Sequence, residues 1–200
     1  MRTALFPGSF DPFHNGHLEI VEAASKLFEE VVVAPMRNTQ KGDPLFTLEE
    51  RKEMIAESVA HLTNVRLAPL SSLVVDLARE LGADVIIKGL RVASDAESEL
   101  QQAQMNKKVA GIETLFIPSS SEYSFIASKY VRDFAKFGGA DRGGFTVPGP
   151  VLRKLKEKFS GDGRAALAQS GSALAQSGSA SAQSGSAARV APEPESGARV

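Results

Sequence analysis

The 200-residue chain has no cysteine and no tryptophan. Without thiols there are no disulfides, no thiolate metal sites and no cysteine nucleophile, a profile that suits a reducing compartment. No secretory leader is legible at the start, and no apolar run approaches the roughly eighteen residues of a membrane span. The expectation is a soluble cytoplasmic protein with no membrane partner. Net charge is almost absent too: 23 Lys and Arg against 24 Asp and Glu leave −1. A general nucleic-acid binder is usually basic, so nucleic acid is not expected as a partner.

Aromatic residues are missing from 160–200, although eleven Phe and two Tyr stand at or before Phe159. In the same stretch Ala-Gln-Ser-Gly-Ser recurs at 168, 175 and 182. A coiled coil needs large apolar residues at two heptad positions, and this tract offers Ala, an occasional Leu and a Gly in every repeat. It cannot bury enough surface to offset its ordering entropy. Residues 160–200 therefore read as a low-complexity, disordered tail, and 1–159 as one domain.

What is present in 1–159 is a regular alternation of apolar runs and helical patterns. Strands are expected at Thr3–Phe6, Val31–Ala34, Val65–Leu70, Asp84–Lys88 and Glu113–Ile117. Helices are expected over Leu18–Phe28, from a Thr47 capping box to about His61, from Ser72 to Gly82, and from a Ser94 capping box to about Val109. Two more are expected over about Phe125–Phe137 and Val151–Phe159. This alternation implies right-handed crossovers and an α/β fold: a doubly wound, Rossmann-like parallel sheet of five strands in the order 3-2-1-4-5. Ligands of such sheets bind beyond the carboxyl ends of the strands, where strand order reverses. Here that point lies between strands one and four, at the loops that begin at Pro7 and Lys88.

Those loops hold the unusual residues. Phe6-Pro-Gly-Ser-Phe-Asp-Pro-Phe-His-Asn-Gly-His17 joins the first strand to the first helix. It ends in His14 and His17, three apart around Gly16, at a helix start, where unpaired N–H groups favour phosphate. A tight connection with solvated histidines would show the same spacing, so the pair by itself leaves both readings open. Lys88-Gly89-Leu90-Arg91 closes the fourth strand with two cations around a glycine, which suits phosphate. Asp95 and Glu99 lie one turn apart on the next helix, on one face.

The run from Pro7 to His17 resembles the (H/T)xGH signature of the nucleotidyltransferase superfamily, in the version carried by the bacterial phosphopantetheine adenylyltransferase family. Lys88-Gly-Leu-Arg91 is similar to that family's (R/K)GLR segment, and Gln104-Met-Asn-Lys107 also matches. Tyr123-Ser124-Phe125-Ile126-Ala127-Ser128-Lys129, with Arg132, resembles the second superfamily signature. There, Ala127 and Lys129 replace hydroxyl residues. Asp95-Ala-Glu-Ser-Glu99 stands where the family usually has Asp-Phe-Glu-Tyr-Glu, so Ala96 and Ser98 replace two aromatics. His14 stands where the family often has threonine. The resemblance spans 1–159, interrupted at about 140–147.

The resemblance implies transfer of the adenylyl group of ATP to 4'-phosphopantetheine, giving dephospho-coenzyme A and pyrophosphate in coenzyme A biosynthesis. It implies His17 as the catalytic residue. It implies ATP contacts from Ser9, Phe10, His17, Gly89, Leu90, Arg91, Glu99 and Tyr123 through Lys129. Acceptor contacts are implied for Ser9, Lys41, Val74 and Lys88. Mg2+ would ride on the ATP phosphates, since the sequence shows no dedicated cluster of metal ligands. A homohexamer is the assembly implied. Two alternatives stay open: a sister enzyme using another phosphorylated acceptor such as nicotinamide mononucleotide, and an inactive nucleotide-binding module. Class I aminoacyl-tRNA synthetases share the histidine signature, but this chain has no room for a tRNA-binding domain.

Overall fold

A computed structural model describes residues 2–36, 43–68, 73–91 and 93–159, with the backbone alone for 93–95. Lys41, Ser72 and the 160–200 tail lie outside the described residues. The elements are β1 (Thr3–Gly8), α1 (Asn15–Ser25), β2 (Glu30–Pro35), α2 (Leu48–Ser58), β3 (Val65–Leu67) and α3 (Val74–Glu80). They continue as β4 (Val85–Leu90), α4 (Ala93–Ala110), β5 (Glu113–Pro118), α5 (Ser128–Lys136) and α6 (Gly149–Phe159), with a 3-10 turn at Gly144–Thr146. The five strands form one parallel sheet in the order β3-β2-β1-β4-β5, as the alternation predicts.

The central strands are apolar on both sides because both sides are covered. Leu5, Val32 and Ile86 face α3, in a cluster with Val75, Leu77 and Ala78. Their alternate neighbours Ala4, Val31, Val33 and Ile87 face the opposite layer, with Ile20, Val21, Met54, Ile55, Val131, Val151 and Leu155 of α1, α2, α5 and α6. Each fully buried aliphatic side chain contributes about 1.5–3 kcal/mol. The layer of α1, α2, α5 and α6 is the larger of the two, and it carries the loop that ends in His17.

Several element ends differ from the sequence expectations, each for a local reason. β1 runs two residues past its apolar core: Pro7 and Gly8 pair with Ala34 and Pro35, since parallel pairing uses the backbone. β3 ends at Leu67 rather than Leu70. α1 begins at Asn15, not Leu18, so His17 is in its first turn. α2 keeps its predicted box, with Thr47 Oγ1 accepting from Glu50 N–H and Glu50 Oε2 from Thr47 N–H, but it ends at Ser58. The cap of α3 is Leu73 rather than Ser72, and α4 starts ahead of Ser94. α5 starts at Ser128: the expected first turn at Phe125 belongs instead to a tight turn, where Tyr123 and Ser124 N–H reach Ser120 O.

Candidate active site

β1 and β4 pair at only two positions, Ala4 with Val85 and Leu5 with Ile86. Beyond them the two strands run on to Gly8 and Leu90 while pairing outward, with β2 and β5 respectively. The sheet thus opens at its switch point, where a doubly wound sheet takes its ligand. A cleft of about 270 Å³ occupies the gap. Its walls are Phe6 to Phe10, His14, Gly16, His17 and Ile20 from the first crossover, Met36 after β2 and Val74 at the start of α3. Lys88, Gly89, Arg91, Glu99, Gln102 and Ser119 complete it from the β4 side.

His17 is fixed by its neighbours. His14 N–H donates to His17 Nδ1 at 3.2 Å. With Nδ1 accepting, the proton of a neutral His17 ring sits on Nε2. The ring stacks on His14 with centroids 3.5 Å apart. Phe13 stacks 5.5 Å away and Phe10 meets it edge-on at 5.0 Å. Gly16 leaves room beside the histidine stack: a Cβ there would lie 3.3 Å from the His14 ring, a tight contact.

His14 is only 1% exposed. Burial, reinforced by the charge of Arg91, lowers its pKa from 6.5 to about 3, so the ring is neutral at pH 7. Its Nδ1 is buried with no hydrogen-bond partner. A neutral ring beneath His17 leaves the site's positive charge to the two cations of the Lys88–Arg91 turn.

Lys88 Nζ donates to Gln102 Oε1 at 2.6 Å and pairs with Glu99 Oε2 at 3.1 Å, both from α4. These partners hold the ammonium at the cleft wall. Arg91 Nη1 donates to Ile126 O at 2.7 Å, tying the β4 turn to the segment before α5. Gly89 lines the cleft, but its missing Cβ also serves packing, since one would sit 3.1 Å from Ile20 Cγ1. The loop before α1 is anchored from α5: Ser128 Oγ donates to Pro12 O at 3.0 Å, and Arg132 Nη1 donates to Asp11 O.

Such a site offers a donor nitrogen at a helix start and two cations across the cleft, an arrangement for binding phosphates and stabilising charge as it shifts among them. The cytidylyltransferase-like family profile matches residues 5–134. A phosphopantetheine adenylyltransferase of Synechococcus sp. is 49% identical over 157 residues, covering 78% of this chain and 97% of its own length. The one from Carboxydothermus hydrogenoformans is 45% identical over 164 residues, with coverage of 82% and 99%. The chain belongs to the phosphopantetheine adenylyltransferase family. A solved Vibrio parahaemolyticus structure, assigned as a nicotinate-nucleotide adenylyltransferase, superposes with a TM-score of 0.59 over 78% of this chain and 92% of that one. At 16% identity it shows the fold alone.

Among the residues that the family resemblance implicates, the structure brings Ser9, Phe10, His17, Val74, Lys88, Gly89, Arg91 and Glu99 to one cleft. Leu90 and Tyr123 through Lys129 are not among its lining residues, though Arg91 and Ser128 tie that segment to its rim. Lys41 lies outside the described residues. Sequence reading missed Gln102 and Ser119. Gln102 stands three residues after Glu99 on α4, so the helical period was the signal that could have found it. Ser119 could have been found as the first hydroxyl after β5.

Proposed function

We infer that this protein catalyses adenylyl transfer from ATP to 4'-phosphopantetheine, with dephospho-coenzyme A and pyrophosphate as products, as a step of coenzyme A biosynthesis. The observation that carries the reading is the meeting of His17, Lys88 and Arg91 in one cleft at the switch point of the sheet. Two loops distant in sequence supply the charge pattern of a two-phosphate site.

The acceptor's phosphate oxygen attacks the α-phosphorus of ATP in line, and pyrophosphate leaves. No covalent enzyme intermediate forms, so the chain acts by placement and charge stabilisation. His17 Nε2–H donates to the α-phosphate as negative charge builds. Ser9, Lys41, Val74 and Lys88 receive the acceptor, with the two lysines on its phosphate. Phe10, Gly89, Leu90, Arg91 and Glu99 receive ATP, and the Tyr123–Lys129 segment at the start of α5 meets its outer phosphates. Mg2+ enters with ATP. Among the described residues no group of three or more His, Cys, Asp or Glu could hold it, so no step is assigned to the ion.

The same reading places the enzyme in the cytoplasm as a homohexamer. Among the described residues, no helix is long and apolar enough to cross a membrane. Sedimentation velocity checks the assembly. The acceptor is tested by measuring pyrophosphate release from ATP with 4'-phosphopantetheine and nicotinamide mononucleotide offered in turn. Release with the first alone is expected; release with the second alone, or with neither, overturns the reading.

A further inference from the structure

Arg51 is a buried cation that the reaction above does not use. It sits in the first turn of α2, is only 3% exposed, and its guanidinium spans two walls of the cleft. Nη1 donates to Ser9 O at 2.6 Å and to Met36 O at 2.8 Å, while Nε donates to Thr47 O at 3.3 Å. Ser9 opens the loop that leads to His17, and Met36 directly follows β2, ahead in sequence of Lys41. Both residues line the cleft. One nitrogen therefore ties the loop that leads to His17 to the exit of β2.

The arrangement is braced rather than incidental. Burial disfavours the guanidinium charge, and the Asp11 carboxylate opposes that effect. Asp11 is itself 8% exposed and accepts N–H bonds from Leu45 at 2.9 Å and Phe46 at 3.0 Å, which fixes the approach to α2. Arg132 faces Asp11 from the other side, at 3.8 Å. Between Ser9 and Asp11 the chain passes through Phe10 with φ of 45°, a conformation a bulky residue rarely adopts unless its surroundings impose it. A buried arginine could serve stability alone through a hydrophobic stem. This one directs Nη1 to the backbones of two segments that line the cleft.

We propose that Arg51 is a positioning residue for adenylyl transfer: it fixes the His17 loop against the exit of β2, so that the attacking phosphate and the α-phosphorus meet in line. The proposal rests on the adenylyl-transfer reading. A misplacement of about 1 Å can lower a rate by roughly a hundredfold, so the effect belongs in turnover and not only in stability. Lysine keeps the charge opposite Asp11 but lacks the planar fork.

The test is a double-variant cycle of Arg51→Lys and His17→Ala, read as kcat and KM by pyrophosphate release. Arg51→Lys alone should lower kcat about tenfold or more and raise KM for 4'-phosphopantetheine, with KM for ATP changed less than about twofold. In the His17→Ala background the same change should lower kcat less than about twofold, because residues acting as one unit are not additive. If Arg51→Lys lowers the melting temperature but leaves kcat intact, or if the two effects multiply, Arg51 is merely structural and the proposal falls. If Arg51→Lys does not fold, Asp11→Asn takes its place in the cycle, with the same two outcomes. A parent enzyme that releases no pyrophosphate with this acceptor would overturn the adenylyl-transfer reading, and the proposal with it.

Discussion

At the scale of single residues, two histidines one helical turn apart have opposite roles because their surroundings differ. His17 offers a defined donor nitrogen, since its Nδ1 is occupied by the His14 N–H. His17→Ala should fold normally and lose about 10²–10³-fold in kcat, the usual loss when one transition-state donor is removed. Steady-state pyrophosphate release measures it, and near-normal turnover would remove His17 from its assigned role. His14 is the buried base of the stack, with a pKa held down to about 3. Below pH 6.5 the unfolded chain takes up a proton at this residue that the folded chain refuses. Its contribution to stability is therefore whole above about pH 6.5 and falls by up to about 1.4 kcal/mol per unit as pH drops toward 3. Urea midpoints at about pH 6.5 and pH 5 should show this loss in the parent and a flatter dependence in His14→Gln. Equal slopes would show that His14 is protonated in the folded protein. The spacing located both histidines and the family resemblance singled out His17. That His14 is held neutral was not legible, because its burial and the nearness of Arg91 are properties of the folded chain.

At the scale of elements, what was legible was the pattern that periodicity writes. All five strands and all six helices are where alternation and helical spacing put them, because burial on a fold of this class enforces those periods. Ends were less legible where the cap is not a usual one. α1 starts three residues early because His17 closes on the His14 N–H, a bond that no Ser, Thr, Asp or Asn announces. α5 starts three residues late because the chain is still turning, with Ser124 N–H on Ser120 O and Ile126 N–H on Tyr123 O, and is extended at Ala127. That late start places Lys129 as an exposed residue in the first turn of α5. Its charge should outweigh the hydroxyl it replaces beside a triphosphate, since charge-assisted hydrogen bonds are about twice as strong as neutral ones. Lys129→Ala should weaken ATP binding more at low than at high ionic strength, as screening requires. Titrations at two salt concentrations decide it, and unchanged affinity at low salt would make Lys129 a surface residue without a role.

At the scale of the whole molecule, the order of the strands fixes where the site must be, and this was the part most open to a reading of the sequence. The chain reverses direction across the sheet between β1 and β4, and those strands separate after two paired positions. What no sequence pattern announced is the web beneath the cleft, in which Arg51, Asp11 and Arg132 bring α2 and α5 to bear on one loop. Its members are far apart in the chain and have no spacing in common. The composition of 160–200 sets a further expectation: removing the chain after Phe159 should leave activity and melting temperature unchanged. A melting temperature lowered by several degrees, about what 1 kcal/mol would do in a domain of this size, would show that the tail docks. The central claim is that the acceptor's own phosphate attacks the α-phosphorus of ATP within this cleft. It is tested most directly with 4'-phosphopantetheine carrying ¹⁸O on its phosphate, turned over with ordinary ATP, and the products weighed by mass spectrometry. The account predicts that all of the label appears in dephospho-coenzyme A and none in pyrophosphate; label in pyrophosphate, or no dephospho-coenzyme A at all, would contradict it.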